Sequence, residues 1–304
     1  MVDTNSLAFP IALLEQPVPE RLVYFQKVTI PHKKLRVALD SLLINIETPI
    51  DLSVSFVVGP AGVGKTTLRR RIEKLLLERA LSDKTLAVGQ LPIASIEAIP
   101  AEQGRFIYKD YYLRVLEALH APLIKEVSQS EEESSTINTT SYFSQGLQSK
   151  RSDTLRRILE QVLKRHRLKA LMIDEAQHLV LVAGGKQMLQ QMDWLKSIAN
   201  VTETIHVLFG TYDLLNCCSL SGQVSRRSDD IHLERYHHEQ SEDVEEFGRI
   251  IQTFQEHLPL PGETNLMQYQ DYLMDYSIGC VGILSTWLAK ALRMALLAEA
   301  HKLA

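Results

Sequence analysis

The stretch Val54-Ser-Phe-Val-Val-Gly-Pro-Ala-Gly-Val-Gly-Lys-Thr-Thr-Leu68 decides how this chain folds. Its first residues, Val54 to Val58, form a short continuous apolar run, the pattern of a strand buried on both faces in a parallel sheet. The next, Gly59, Pro60, Ala61, Gly62, Val63, Gly64, Lys65 and Thr66, match G-x-x-x-x-G-K-[ST] completely, directly before a helical pattern over Thr66 to Leu77. Glycines at these positions let consecutive backbone N–H groups turn inward around phosphate oxygens, and the following helix adds its positive N-terminal end. Lys65 would then hold the β and γ phosphates as a point charge. The Thr66 hydroxyl would complete a Mg²⁺ shell, and Thr67 continues the motif into the helix. The plainer alternative is a glycine turn that caps a helix.

Further buried-strand patterns fall at Leu86 to Ile93, Ala170 to Asp174, Ile205 to Phe209 and Ile231 to Leu233, with helical stretches between most of them. Alternation of this kind implies an α/β domain with a mainly parallel sheet flanked by helices. A helical stripe also covers His32 to Ile46. Beyond Glu242 the strand signal stops, and helical spacing over 242–257, 265–277 and 283–302 implies a small helical lid. The expected organisation is an N-terminal arm over 1–30 with Pro10, Pro17 and Pro19, an α/β core over 31–240, and the lid over 241–304. Within the core, 128–147 reads as a flexible acidic insertion, because Ser128 to Ser144 is rich in hydroxyls and glutamates and holds no basic residue.

Composition agrees with a globular chain. Its 304 residues are 45% hydrophobic and 23% charged, which excludes collagen-like, coiled-coil and disordered classes. Three cysteines, Cys217, Cys218 and Cys280, form no disulfide framework, so a cytoplasmic protein is expected. No run reaches the roughly 18 apolar residues of a membrane span, so no membrane partner is expected. His232, His237, His238 and His257 fit no zinc spacing.

Three further elements complete a candidate site. Ala170-Leu-Met-Ile-Asp-Glu175 is an apolar strand that ends in two acids. Behind a phosphate loop, Asp174 is placed to hold Mg²⁺ and Glu175 to activate a water against the γ-phosphate; alternatively the pair caps a helix. Thr211, at the end of Ile205-His-Val-Leu-Phe-Gly-Thr211, would either sense the γ-phosphate by hydrogen bond or cap a turn. Arg226 and Arg227, in a short polar loop, would either stabilise transferring phosphoryl charge across a subunit boundary or lie as solvated surface charge.

Together Gly59-Pro-Ala-Gly-Val-Gly-Lys-Thr-Thr67, Leu171-Met-Ile-Asp-Glu-Ala-Gln-His178, Phe209-Gly-Thr-Tyr-Asp-Leu214 and Gly222-Gln-Val-Ser-Arg-Arg227 resemble AAA+ ATPases, and more narrowly the TniB/TnsC family of transposition regulators. The resemblance runs from about His32 to the C-terminus. It implies an ATP-loaded protein that assembles head to tail around duplex DNA as a ring or helical filament, links a target-selection protein to a transposase, and disassembles on hydrolysis. It further implies that Lys65, Thr66, Asp174, Glu175 and Thr211 belong to one subunit's site and that Arg226 and Arg227 reach the neighbour's nucleotide. Many AAA+ lids carry an arginine after a glycine at the start of a late helix, where this chain has Gly282-Ile283.

Between Gln148 and Ala170 lie Lys150, Arg151, Arg156, Arg157, Lys164, Arg165, Arg167 and Lys169 against two acids, Asp153 and Glu160. Lys150 and Arg151 open a helix there, and Arg105 and Lys109 open the preceding one, so both starts are candidates to grip phosphates of duplex DNA without reading sequence. The resemblance places DNA contacts in the same two loops. For Arg156, Arg157 and Lys164 an ordinary solvated helix face is the alternative. Three other readings stay open: a clamp-loader, initiator or helicase-loader ATPase, a nucleotide-gated signalling ATPase that binds no DNA, and a small-molecule kinase.

Overall fold

The computed structural model describes residues 9–82, 90–100, 106–128, 146–180, 185–216, 228–262 and 264–298. Its elements in chain order are α1 (Val18–Lys27), α2 (Lys33–Glu47), β1 (Val54–Val58), α3 (Lys65–Ser82), β2 (Ile93–Glu97), α4 (Tyr108–Ser128), α5 (Ser152–His166), β3 (Ala170–Asp174), α6 (Gln177–Val180), α7 (Gly185–Thr202), β4 (Ile205–Gly210), β5 (Ser228–His232), α8 (Ser241–Glu256), α9 (Gln270–Tyr276) and α10 (Val281–Leu297). The fold is α/β, a parallel five-stranded sheet in the order β2-β3-β4-β1-β5 with flanking helices.

Two compact units are present. One comprises 38–58 and 65–232, and holds the sheet; the other comprises 1–37, 59–64 and 233–304. In the sheet unit β1, β3 and β4 are buried throughout, as continuous apolar runs require. Phe56, Leu171, Ile173 and Leu208 join Leu116 and Leu119 of α4, Leu155, Leu159 and Leu163 of α5 and Leu195 of α7 in one core. Leu155, Leu159 and Leu163 recur every four residues, so one face of α5 is buried and the basic side chains fall on the others.

The two sheet-edge strands differ from their apolar patterns over the described residues. Of the expected run Leu86 to Ile93, residues 86–89 lie outside the described residues, 90–92 are not in a strand, and β2 begins at Ile93, with Ile93 in register with Ala170 and Glu97 with Asp174. Only Ile93 and Ala94 of it are buried, and Ser95 interrupts the apolar residues, so the strand lacks the continuous apolar run of a central strand. β5 is Ser228–His232, registered on Val54 to Val58, and of its side chains only Ile231 is buried. Backbone pairing needs no apolar side chain, and Asp229 instead accepts a hydrogen bond from Asn45 at 2.6 Å.

In the other unit the N-terminal residues 9–37 group with the C-terminal helices. Pro19 sits in the first turn of α1, where its missing N–H is no loss. Phe25 is fully buried, with its ring 5.9 Å from Phe254 of α8, and α1 packs along α10. Arg21 donates to the Pro259 carbonyl at 3.0 Å and Tyr24 bonds His257 at 2.9 Å. The proposed insertion at 128–147 lies outside the described residues except at its two ends, 128 and 146–147. Among the described residues no single helix is long and apolar enough to cross a membrane, and no group of three or more metal-ligating side chains occurs.

His206 of β4 is fully buried in the sheet unit; Nδ1–H donates to the Thr204 carbonyl at 3.2 Å, while Nε2 has no hydrogen-bond partner. Burial depresses its pKa to about 4. Between pH 6.5 and 4 the unfolded chain therefore takes up a proton that the folded chain refuses, and stability falls as pH drops through that window, by an amount on the order of 3 kcal/mol. Urea unfolding from pH 7.5 to 4.5 should show this loss, with a shallower slope in His206→Leu.

Candidate functional site

Gly59 to Gly64 turns directly out of β1, and chain continuity carries the loop into Lys65, the first residue of α3. Gly62 has φ +77° and Gly64 φ +113°, left-handed backbone that residues with a Cβ avoid. Pro60, Ala61 and Gly62 are at least partly exposed, whereas Val63 is buried beneath the loop. Gly282 N–H, at the start of α10, donates to the Gly62 carbonyl at 2.8 Å. A Cβ on Gly62 would stand 2.7 Å from Cγ1 of Ile283. The start of α10 thus touches the loop through backbone and the Ile283 side chain.

On the sheet unit, parallel register brings the carboxyl ends of β1, β4 and β3 side by side. Val58 pairs with Gly210, and Leu208 with Ile173. Lys65 is buried, 7% exposed, and Thr66 and Thr67 follow it, half-buried, in the first turn of α3. Asp174 ends β3 only 5% exposed, and its carboxylate is fully engaged. Oδ2 accepts from the Thr66 hydroxyl at 3.0 Å and from Arg69 Nε at 3.1 Å, while Oδ1 accepts from Glu175 N–H at 3.0 Å. Arg69 also donates to Ser95 Oγ at 2.7 Å and meets Glu73 at 3.4 Å. A buried carboxylate needs this kind of compensation, since desolvation alone would disfavour its charge.

A hydroxyl and a carboxylate meeting at 3.0 Å form an all-oxygen donor pair, which suits Mg²⁺ and not a soft metal. Thr66 and Asp174 therefore fit the metal role. Glu175 adopts φ +51°, and its carboxylate accepts from Gln177 Nε2. Thr211 follows β4; its hydroxyl donates to Asp213 at 2.9 Å, and its N–H to Gln177 Oε1 at 3.4 Å. Sequence reasoning passed over Gln177 and Arg69. The signals were their positions, Gln177 two residues past Glu175 and Arg69 one helical turn past Thr66, where side chains share a face.

Of the DNA candidates, Lys109 donates to the Gln148 carbonyl at 2.7 Å, joining the start of α4 to the segment before α5. Lys150 and Arg151 are exposed beside it in the chain, with Arg151 at the N-cap of α5 and 3.5 Å from Asp153. Arg156 is held by Glu160 at 2.8 Å and Ser197 at 2.9 Å, and Lys164, Arg165, Arg167 and Lys169 lie toward the opposite end of α5. A helix of this length spans roughly 22 Å, so the basic run is two clusters and not one. Arg105, Arg226 and Arg227 lie outside the described residues.

A parallel sheet with a phosphate loop after β1 and an acid pair at the end of β3 defines a P-loop NTPase fold of the AAA+ kind. The family profile described as an AAA domain matches residues 52–217, and the chain belongs to that family. A comparison with curated protein sequences returned no match. Among solved structures, the ORC2 protein of Aeropyrum pernix in ADPNP–ADP complexes is similar with a TM-score of 0.56 and 14% identity, over 92% of this chain and 68% of that one. Its ADP form gives 0.57 and 14%, over 93% and 69%. The ORC1 protein of the same organism in complex with DNA gives 0.55 and 17%, over 97% and 66%. At such identities the likeness is one of fold.

Gly62→Ala should lower unfolding stability by about 1–3 kcal/mol, from left-handed strain and the Ile283 contact together. Denaturant titration checks this, and Ile283→Ala in the same background should recover the contact part and leave the strain.

Proposed function

We propose that this protein binds Mg-ATP through the Gly59 to Thr66 loop, hydrolyses it, and uses nucleotide state to hold or release duplex DNA as an oligomeric regulator of DNA transposition. The observation that carries the ATPase reading is the Thr66 hydroxyl resting on the buried Asp174 carboxylate, with Glu175 next along the chain. Lys65 would hold the β and γ phosphates, and Mg²⁺ at Thr66 and Asp174 would neutralise charge on their oxygens. Glu175 would take a proton from water as the water oxygen bonds the γ-phosphorus; the γ-phosphorus–oxygen bond to ADP breaks, releasing phosphate. Thr211 takes a γ-phosphate-sensing role in this proposal only with its hydroxyl turned away from Asp213.

The transposition reading is supported by the Gly-Thr-Tyr and Gln-Val-Ser-Arg-Arg segments, whose Arg226 and Arg227 would complete a neighbouring subunit's site. Its partners would be a transposase and a target-selection protein, within the cytoplasm. Arg105, Lys109, Lys150 and Arg151 would contact DNA phosphates. A second reading, an initiator-type ATPase, is favoured by the fold likeness to ORC1 and ORC2. Marked preference for one DNA sequence, and indifference to a transposase, would favour it.

Lys65→Ala should abolish nucleotide binding in a fluorescent-ATP titration. Glu175→Gln should bind nucleotide normally yet lose phosphate release by about two orders of magnitude or more, as expected for a general base. Unchanged hydrolysis in Glu175→Gln would end the assigned role.

Duplex affinity should fall linearly on a log–log plot against NaCl, and Lys150→Glu with Arg151→Glu should weaken binding to random duplexes alike while reducing that slope. Fluorescence anisotropy at several salt concentrations checks both.

A further inference from the structure

We propose that Gln177 is a positioning residue that couples the Glu175 carboxylate to the end of β4. Gln177 is buried, and its amide makes two contacts of opposite polarity. Nε2 donates to Glu175 Oε2, and Oε1 accepts from Thr211 N–H at 3.4 Å. One planar group thus spans the residue after β3 and the residue after β4.

The backbone is built to admit it. Glu175 turns left-handed at φ +51°, which starts α6 immediately and brings residue 177 back toward its own carboxylate. Ala176 N–H donates to the Phe209 carbonyl at 2.8 Å, tying the turn to β4. Gly210 leaves the space: a Cβ there would lie 2.5 Å from Gln177 Oε1.

The chemistry selects the side chain. An ionised carboxylate only accepts hydrogen bonds, and a backbone N–H only donates, so the bridge needs a donor and an acceptor on one short group. Glutamine supplies both, as does neutral histidine. Glutamate lacks the donor, and methionine lacks both. With one oxygen held by Gln177, Glu175 keeps the other for the proton of water, and its orientation follows the end of β4. This role rests on Glu175 being the water activator.

Gln177→Glu, assayed at a pH high enough that both carboxylates are ionised and share no proton, separates the two contacts, because it keeps an acceptor for Thr211 and loses the donor to Glu175. In the nucleotide-free protein, amide hydrogen exchange at Thr211 should be faster in Gln177→Met and near wild type in Gln177→Glu. Steady-state ATPase assays should show kcat down ~10-fold or more in both, as for residues that orient a reacting group, with KM within about twofold. Gln177→His should recover kcat. Wild-type kcat in Gln177→Glu would overturn the coupling to Glu175, and unchanged Thr211 exchange in Gln177→Met would overturn the contact to β4. If the wild-type protein and Glu175→Gln were equally inactive, the ATPase reading would fail, while Thr211 exchange would still decide the bridge.

Discussion

A carboxylate taken out of water at the end of a buried strand has to find compensation within reach, and Asp174 meets that demand with three donors drawn from two segments. Thr66 and Arg69 come from α3, and the Glu175 amide from the turn that follows β3. Two of those contacts lead to further ones. Arg69 reaches Ser95 on β2 and Glu73 on its own helix, so β2, β3 and α3 share one polar network above an apolar core. The Glu175 turn aims Gln177 at β4. The geometry of the site is in this sense the solution to a solvation problem.

Sheet order is what makes the solution local. β4 stands between β1 and β3, so the residue after β4 adjoins the ends of both strands. In sequence Thr211 is far from Glu175, yet Gln177 joins them. Parallel strands place every carboxyl end at one edge, and ligands of open α/β sheets are met at that edge. The loop after β1 is shaped by its own neighbours, Gly282 and Ile283 at the start of α10, through contacts that tolerate glycine at position 62.

Much of this was legible beforehand, and for identifiable reasons. Val54 to Val58, Ala170 to Asp174 and Ile205 to Phe209 are buried on both faces, so their apolar runs mark them plainly. β5 is an edge strand whose side chains are mostly polar and exposed, and β2 is an edge strand buried only at Ile93 and Ala94, so their pairing is a backbone property that the side-chain pattern reports poorly. α1 was hidden by prolines that a first helical turn accepts. The basic run of 150–169 looked continuous because a linear count ignores the length of α5, which sets its two ends apart.

By itself the sequence determined the phosphate loop, the acid pair at the end of its strand, and the α/β class, because each rests on residues adjacent in the chain whose geometry is local. Tertiary structure alone decided what surrounds them: that Arg69 shares Asp174 with Thr66, that Gln177 bridges to Thr211, and that Ile283 rests against Gly62. Those pairings depend on which strands lie next to one another and which helix end meets which loop. Such adjacency is set by burial of the whole core and by sheet order, and it leaves no mark in the spacing of any single segment.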